Sequence, residues 1–500
     1  MQRILLFASF ISFVLTGCQK EIVEVTADRT DPLTRTELNA RVERQLRETN
    51  KVFEWSDAED LVVWSALTLS DHQAVLGYQP AGFDDIEGRI HEIDVTTGAW
   101  KQTRDALVAD LRAATERLTG TAPRDEDLFV AEEDGILPIL EVRILHPEVL
   151  TEFRGRPEVR YLEPSNYTAE EVQFRSDSGC SGAPAADVDA EDYGTTASGA
   201  KVAWNYGPMG IPEAWTRTQG DNIGICIIDS GTYPEQDRLN GNFGSGRELT
   251  RLGVYQPSWW SSRTDGPDDQ CGHGTQMAGL ATAPLTTTGS SVGVAYRSDL
   301  LAIRATSDVI INASKEKRGV KDALVIAGQD AGTQIVSMSI GDVFSSGTVK
   351  DGIYYAHNRG KMILAAAGTS LSWTSWYGVI FPANISQTVA VTGIQTGTPY
   401  LRCNTCHDGS EVDFVAVMQR REDTGRSTIT LSRSGATPGY VGGSSAATAT
   451  TAGIAALVWA TNPGQTREQV LQRMKEASSL YPNRSGNFGW GTVNADLATR

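Results

Sequence analysis

The spacing of apolar positions changes character near residue 200. Before that point, residues 105–118 place Ala106, Leu107, Leu111 and Ala114 at helical intervals among charges, which predicts an amphipathic helix. Residues 136–144 and 159–164 read as strands, and 148–154 as a short helix between them. Residues 28–50 are charged and lack a strong apolar pattern, consistent with a tether or a surface helix. From residue 204 onward, apolar runs at 223–228, 300–303, 335–339, 362–366, 388–391 and 412–417 alternate with helix-period stretches at 315–331 and 349–359. That alternation predicts an α/β fold, a parallel sheet with helices on both faces. Between the two textures, residues 176–200 are rich in Ser, Gly, Ala and Asp and read as a linker. No repeat of 20–50 residues recurs, which argues against a solenoid or propeller.

Composition sharpens the boundary. The 500-residue chain is 40% hydrophobic, enough for several cores, and its formal charge is −18. Residues 1–200 carry a net −19 and residues 201–500 a net +1, so the acidity belongs to the N-terminal part alone. Nothing in this balance points to nucleic acid as a partner. The expected organisation is a leader at 1–17, a tether at 18–50, a small α+β domain at 51–165, a flexible linker at 166–203 and an α/β domain at 204–500. In the leader, Arg3 precedes an apolar run at 4–16 that is too short to span a bilayer and has the order of an export signal. Leu15-Thr16-Gly17-Cys18 resembles a bacterial lipobox, which implies a lipid on Cys18 as the membrane attachment and an exported, membrane-anchored protein.

Five further cysteines form an odd set in a compartment that permits disulfides, so at least one stays unpaired or pairs between chains. We expect Cys403 to pair with Cys406 and Cys180 with Cys271. Cys226, inside the apolar run 223–228, reads as a buried core thiol. The segment Cys403-Asn404-Thr405-Cys406-His407 also fits the attachment pattern of a c-type haem, but no room remains around it for the small helical domain that wraps such a haem.

Three segments carry candidate chemistry. Ile227-Ile228-Asp229-Ser230-Gly231 ends a buried strand with a carboxylate; Cys271-Gly272-His273-Gly274-Thr275 sets a histidine at a helix start; Gly442-Gly443-Ser444-Ser445-Ala446 sets serines at the start of an apolar helix. A serine hydroxyl needs a base to take its proton, and the base needs an anchored acid to hold its tautomer. The order Asp, His, Ser on separate elements is selective where each segment alone is weak. Here the sequence resembles the subtilisin-like serine peptidases, family S8, over roughly 204–498. Flanking segments agree in order: Gly210-Ile211-Pro212, Ser337-Met338-Ser339-Ile340-Gly341, Ala365-Ala366-Ala367-Gly368, Phe381-Pro382-Ala383 and Gly489-Trp490-Gly491.

The resemblance implies a serine endopeptidase acting through an acyl-enzyme. Asp229 would orient His273, His273 would act as base toward Ser445, and Ser339, Gly341 and Gly368 would edge the substrate pocket. It implies polypeptide substrates, and it implies that residues 51–165 are a prosegment that folds against and inhibits the enzyme. No cofactor is required; structural calcium occurs in relatives, but no ligand set can be assigned: Asp265, Asp268 and Asp269 are a candidate calcium loop and read first as solvated loop charges. The main departure is Thr369, which stands where the family places the Asn of the oxyanion hole. Losing such a donor costs about 2.7–4 kcal/mol in the barrier. Gln276 replaces the family's second His, and Ala449-Thr450-Thr451 its Pro-His-Val. The rival reading is a catalytically silent lipoprotein of this fold acting as a binding or scaffold module.

Overall fold

The computed structural model describes residues 31–168, 179–244, 246–256, 263–369 and 377–500. Cys18 and the leader lie outside them. Among the described residues no helix is long and apolar enough to cross a membrane.

The first unit contains α1 (Arg35–Thr49), α2 (Asp60–Thr68), β1 (Gln73–Tyr78), α3 (Gly98–Thr119), β2 (Ile139–Arg143), α4 (Pro147–Arg154) and β3 (Val159–Pro164). Its strands form an antiparallel sheet in the order β2-β1-β3. The expected tether at 18–50 is corrected here: from Thr34 the chain folds. Thr34 and Glu37 form a capping box, and Leu38, Val42 and Leu46, four residues apart, are buried in the same core as Trp55, Leu76 and Leu150. Three buried apolar residues in fifteen suffice because most of the rest of the helix faces water.

The second unit is built on a seven-stranded sheet of β6 (Gly224–Asp229), β7 (Leu249–Gly253), β8 (Asp299–Arg304), β9 (Thr333–Met338), β10 (Met362–Ala366), β11 (Thr388–Gln395) and β12 (Val412–Gln419). The order is β12-β11-β10-β9-β6-β8-β7, with every pair parallel. In the buried β6, Ile225 and Ile227 join the core under α5 (His273–Thr282) and α8 (Gly443–Ala460), whereas Cys226 and Ile228 join the core under α6 (Ser314–Gln329) and α7 (Gly347–Asn358). A strand covered on both faces shows a continuous apolar run, which is why these strands were visible in the sequence. The edge strand β7, half exposed with Thr250 and Arg251 in its middle, has no such run.

The expected flexible linker at 166–203 is also corrected. From Gly179 the chain is folded onto the second unit: Cys180 is disulfide-bonded to Cys271, and the Gly182 N–H donates to the Cys271 carbonyl at 2.8 Å. Asp192 is fully buried and accepts hydrogen bonds from Arg420, Arg426 and Tyr440, beside a hairpin of β4 (Tyr193–Thr195) and β5 (Lys201–Ala203). The small residues here allow close packing rather than mobility.

The two units meet along α6 and α7. Arg160 pairs with Asp351 through two contacts of 2.8 and 2.6 Å, and the Tyr161 hydroxyl donates to the same carboxylate at 2.9 Å. Lys350 reaches Glu54 at 2.8 Å, Lys321 reaches Asp134 at 2.6 Å, and Arg318 pairs with Glu141. Glu163 accepts the Gly347 N–H at 2.9 Å at the start of α7; burial pushes its carboxyl up to about 7, against that hydrogen bond and against Lys350 and Lys317. Apart from the Arg160–Asp351 pair, the acid-rich first unit sets carboxylates against lysines and an arginine of two helices of the second unit.

Candidate active site

Asp229 is the last residue of β6, so its side chain emerges at the C-terminal edge of an interior strand, where ligand sites of open parallel sheets lie. The Ser230 N–H donates to Asp229 Oδ1 at 2.8 Å. His273 opens α5, and its Nδ1 lies 2.8 and 3.0 Å from the two Asp229 carboxylate oxygens. The carboxylate therefore fixes the Nδ1–H tautomer and leaves Nε2 for chemistry. The turn into α5 requires glycine at 272: its φ is +93°, and a Cβ there would sit 2.4 Å from the Ala183 backbone nitrogen. Burial disfavours charge on the imidazole, but the charge and hydrogen bond of Asp229, with the charge of Asp269, outweigh it and raise the His273 pKa above the ordinary histidine value.

Asp269 is the residue that sequence reasoning misread. It is not a solvated loop charge but 3% exposed. Its Oδ1 accepts from Ser230 Oγ (2.9 Å), Cys271 N (2.9 Å) and Gly272 N (2.7 Å), and its Oδ2 from Thr275 N (3.0 Å) and Thr275 Oγ1 (2.7 Å). One carboxylate thus caps the otherwise unpaired N–H groups at the start of α5 and ties them to the turn after β6, holding Asp229 and His273 in register. An acid four residues before the histidine, just ahead of a helix start, was the available signal. Its neighbours go elsewhere: Asp265 pairs with Arg304 at 2.7 Å and Asp268 with Arg251 at 2.7 Å, so the three do not converge on a common point.

Ser445 is the third residue of α8, where N–H groups and the positive end of the helix dipole point into the site. Its Oγ is 3.4 Å from the Ser339 carbonyl, and Ser339 Oγ donates to the Ser445 carbonyl at 3.0 Å. Ser444 differs in kind: it is 1% exposed, and its Oγ accepts the Gly368 N–H at 3.2 Å and lies 2.7 Å from Thr369 Oγ1. Of the two adjacent serines, Ser444 is held by short contacts, whereas the Ser445 hydroxyl has the long 3.4 Å contact to the Ser339 carbonyl. The Thr369 hydroxyl also accepts the Ser444 N–H at 3.0 Å.

His273, Ser339, Gly341, Gly368, Thr369 and Ser445 all line one cavity of about 440 Å³, so every residue anticipated for the site except Asp229, which supports it from behind His273, faces the same space. Its apolar side includes Val309, Ile310, Ile340 and Ile380. Gly341 has its backbone already engaged: its N–H donates to the Val309 carbonyl at 3.0 Å and its carbonyl accepts from Ile311 N at 3.2 Å. Gly368, at φ +127°, backs onto His407, whose Nδ1 a Cβ would approach to 2.4 Å. The Cys403–Cys406 disulfide adjoins this corner, since Cys406 bridges Thr369 across the backbone. With both cysteines bonded to each other, the haem reading falls. The free Cys226 is buried in β6.

A carboxylate–imidazole pair at the end of a parallel sheet, sharing a cavity with a serine at a helix N-terminus, holds the groups that nucleophilic acyl transfer requires. Residues 220–491 match the sequence model of the subtilase family, and the chain belongs to that family of serine peptidases. It is 26% identical over 393 residues to an alkaline protease of Alkalihalobacillus alcalophilus, covering 78% of this chain and 89% of the relative. It is 25% identical over 297 residues to thermitase of Thermoactinomyces vulgaris, covering 59% and 95%. Among solved structures, fervidolysin of Fervidobacterium pennivorans superposes with a TM-score of 0.59 at 15% identity over 86% of this chain and 60% of that one. At that identity the likeness concerns the fold alone. The chain is a divergent member with a subtilisin-like fold and a propeptide-like unit before it.

Proposed function

We propose that this chain is an exported serine endopeptidase whose nucleophile is Ser445. The observation that carries the reading is the buried Asp229–His273 pair at 2.8 Å, opening onto the cavity that holds the Ser445 hydroxyl. A rotation of the Ser445 side chain away from the Ser339 carbonyl brings Oγ toward His273 Nε2. The proton then passes to Nε2 as Oγ bonds to the substrate carbonyl carbon, and the carbonyl electron pair moves onto oxygen. Collapse expels the amine, which takes the proton from the imidazolium; water repeats the sequence to free the acid. The test is labelling by a serine-directed fluorophosphonate. Labelling of wild type and its loss in Ser445→Ala support the reading; an unlabelled, folded wild type favours the silent scaffold, for which the departure at Thr369 is the motive.

Residues 31–168 serve, on this reading, as an attached prosegment, supported by the charged contacts to α6 and α7. A lipid on Cys18 would hold the chain at the membrane, and cleavage of the connection between the units would free the catalytic unit unless it stayed bound. Fractionating cells that express wild type and Ser445→Ala tests this: equal size and equal membrane retention would exclude self-release.

A further inference from the structure

The site has no Asn where its family has one, and what stands there is a pair of hydroxyls with three hydrogen-bond contacts among them. Ser444 Oγ accepts from Gly368 N at 3.2 Å, Thr369 Oγ1 accepts from Ser444 N at 3.0 Å, and the two oxygens are 2.7 Å apart. Each hydroxyl owns one hydrogen, and the oxygen–oxygen contact uses one of the two. Burial decides which. Ser444 is 1% exposed, so its hydrogen has no access to water, and Thr369 Oγ1 is the acceptor beside it; a buried hydroxyl leaves its hydrogen unused only at a cost. Thr369 is exposed and lines the cavity. With Ser444 donating, Thr369 Oγ1 accepts twice, from the Ser444 N–H and the Ser444 O–H, and both its lone pairs are filled. Its own hydrogen is then left to point into the cavity. A hydroxyl that accepts two hydrogen bonds is polarised into a stronger donor.

We propose that Ser444 and Thr369 act as one unit in place of the missing amide: Ser444 donates to Thr369, and Thr369 donates to the oxyanion formed when Ser445 attacks. This rests on the acyl-transfer reading above. Thr369 is then the catalytic donor and Ser444 a positioning residue that aims and polarises it. The arrangement gives the short hydroxyl at 369 a second hydroxyl behind it to aim and polarise it. Ser444 also stands at the second position of α8, so its N–H brings the helix terminus into the same chain of donors.

The test is steady-state hydrolysis of a chromogenic peptide amide by the full chain as wild type, Thr369→Val, Ser444→Ala, Ser444→Thr and the double variant Thr369→Val/Ser444→Ala. Fluorophosphonate labelling and thermal unfolding are measured alongside. Thr369→Val should lower kcat roughly 10²–10³-fold with KM within about twofold, the signature of a contact made only in the transition state. Ser444→Ala should lower kcat at least about tenfold, Ser444→Thr should recover most of that loss, and the double variant should be no slower than Thr369→Val alone, because the residues act as a unit. Losses that multiply in the double variant, a kcat unmoved by Thr369→Val, or a Ser444→Ala effect confined to KM and unfolding temperature would each overturn the proposal while leaving the peptidase reading intact. A folded wild type that neither labels nor turns over overturns both.

Discussion

On one wall of the cleft two buried carboxylates, Asp229 and Asp269, surround His273; on the other, Ser444, Thr369 and the first N–H groups of α8 carry no formal charge. On the proposed mechanism the first wall holds a proton and then bears an imidazolium, and fixed negative charge suits that task. The second must receive negative charge that is absent in the ground state, and neutral donors aimed at that point suit it because they need not be desolvated or repelled beforehand. The charged wall keeps the Asp and His that the resemblance implies, with Gln276 in place of the family's second His, whereas the neutral wall has Thr369 in place of the family's Asn. A fixed negative charge beside an imidazolium cannot be reproduced by a neutral side chain, while a neutral hydrogen-bond donor has several substitutes.

The largest expected effect tests the charged wall. Asp229→Asn keeps the size of the side chain but presents an amide to Nδ1, stabilising the wrong tautomer, and should lower kcat by about 10⁴ with little change in KM. Steady-state rates on a peptide amide measure this. A loss below tenfold would mean that the Asp229 charge is not what organises the histidine.

Each wall also has its own disulfide, and the two should differ in weight. Cys180–Cys271, beside Gly272 and the start of α5, closes a sequence separation of 91 residues, whereas Cys403–Cys406, beside Thr369, closes one of 3. On a chain-entropy account the first contributes about 4–5 kcal/mol and the second roughly 2 kcal/mol. Paired Cys→Ser variants in a Ser445→Ala background, unfolded in denaturant, should show that ranking. Equal losses would mean that the short loop is held by other contacts, such as the Gly368 carbonyl accepting from His407 N at 2.9 Å.

How much of this could be read in the sequence follows from the same physics. The buried strands β6, β8, β9, β10, β11 and β12 were legible because burial on both faces demands an unbroken apolar run, and β7 was not because an edge strand has no such demand. Residues 28–50 left a tether and a surface helix both open because most of α1 is charged, and the segment from Gly179 to Ala203 was read as a flexible linker because small polar residues look alike in a mobile chain and in a closely packed one. In the site, Asp229, His273 and Ser445 were picked out by the order of three short segments and their resemblance to the family's motifs, since each segment alone is weak. Asp269 was not, since its meaning lies in five donors drawn from Ser230, Cys271, Gly272 and Thr275. The Ser444–Thr369 contact spans 75 residues and leaves no local trace.

The smallest effect distinguishes the walls most cleanly, because it reads charge rather than geometry. As a base, His273 must be neutral, so kcat/KM should rise with pH through a value above that of an ordinary histidine. In folding terms, a raised histidine pKa adds stability that is fully present below the unfolded value and is lost as pH rises through the folded one. Asp269 contributes to that elevation through its charge, whereas Thr369 has none to contribute. Asp269→Asn, compared with wild type over a pH series, should therefore move the acid limb of kcat/KM to lower pH, so that the variant keeps a larger share of its own maximum in acid. Thr369→Val should lower the whole profile and leave the limb in place. A limb displaced equally by both variants would show that the two walls are not electrostatically separate, and that the neutral wall helps to set the proton affinity of His273.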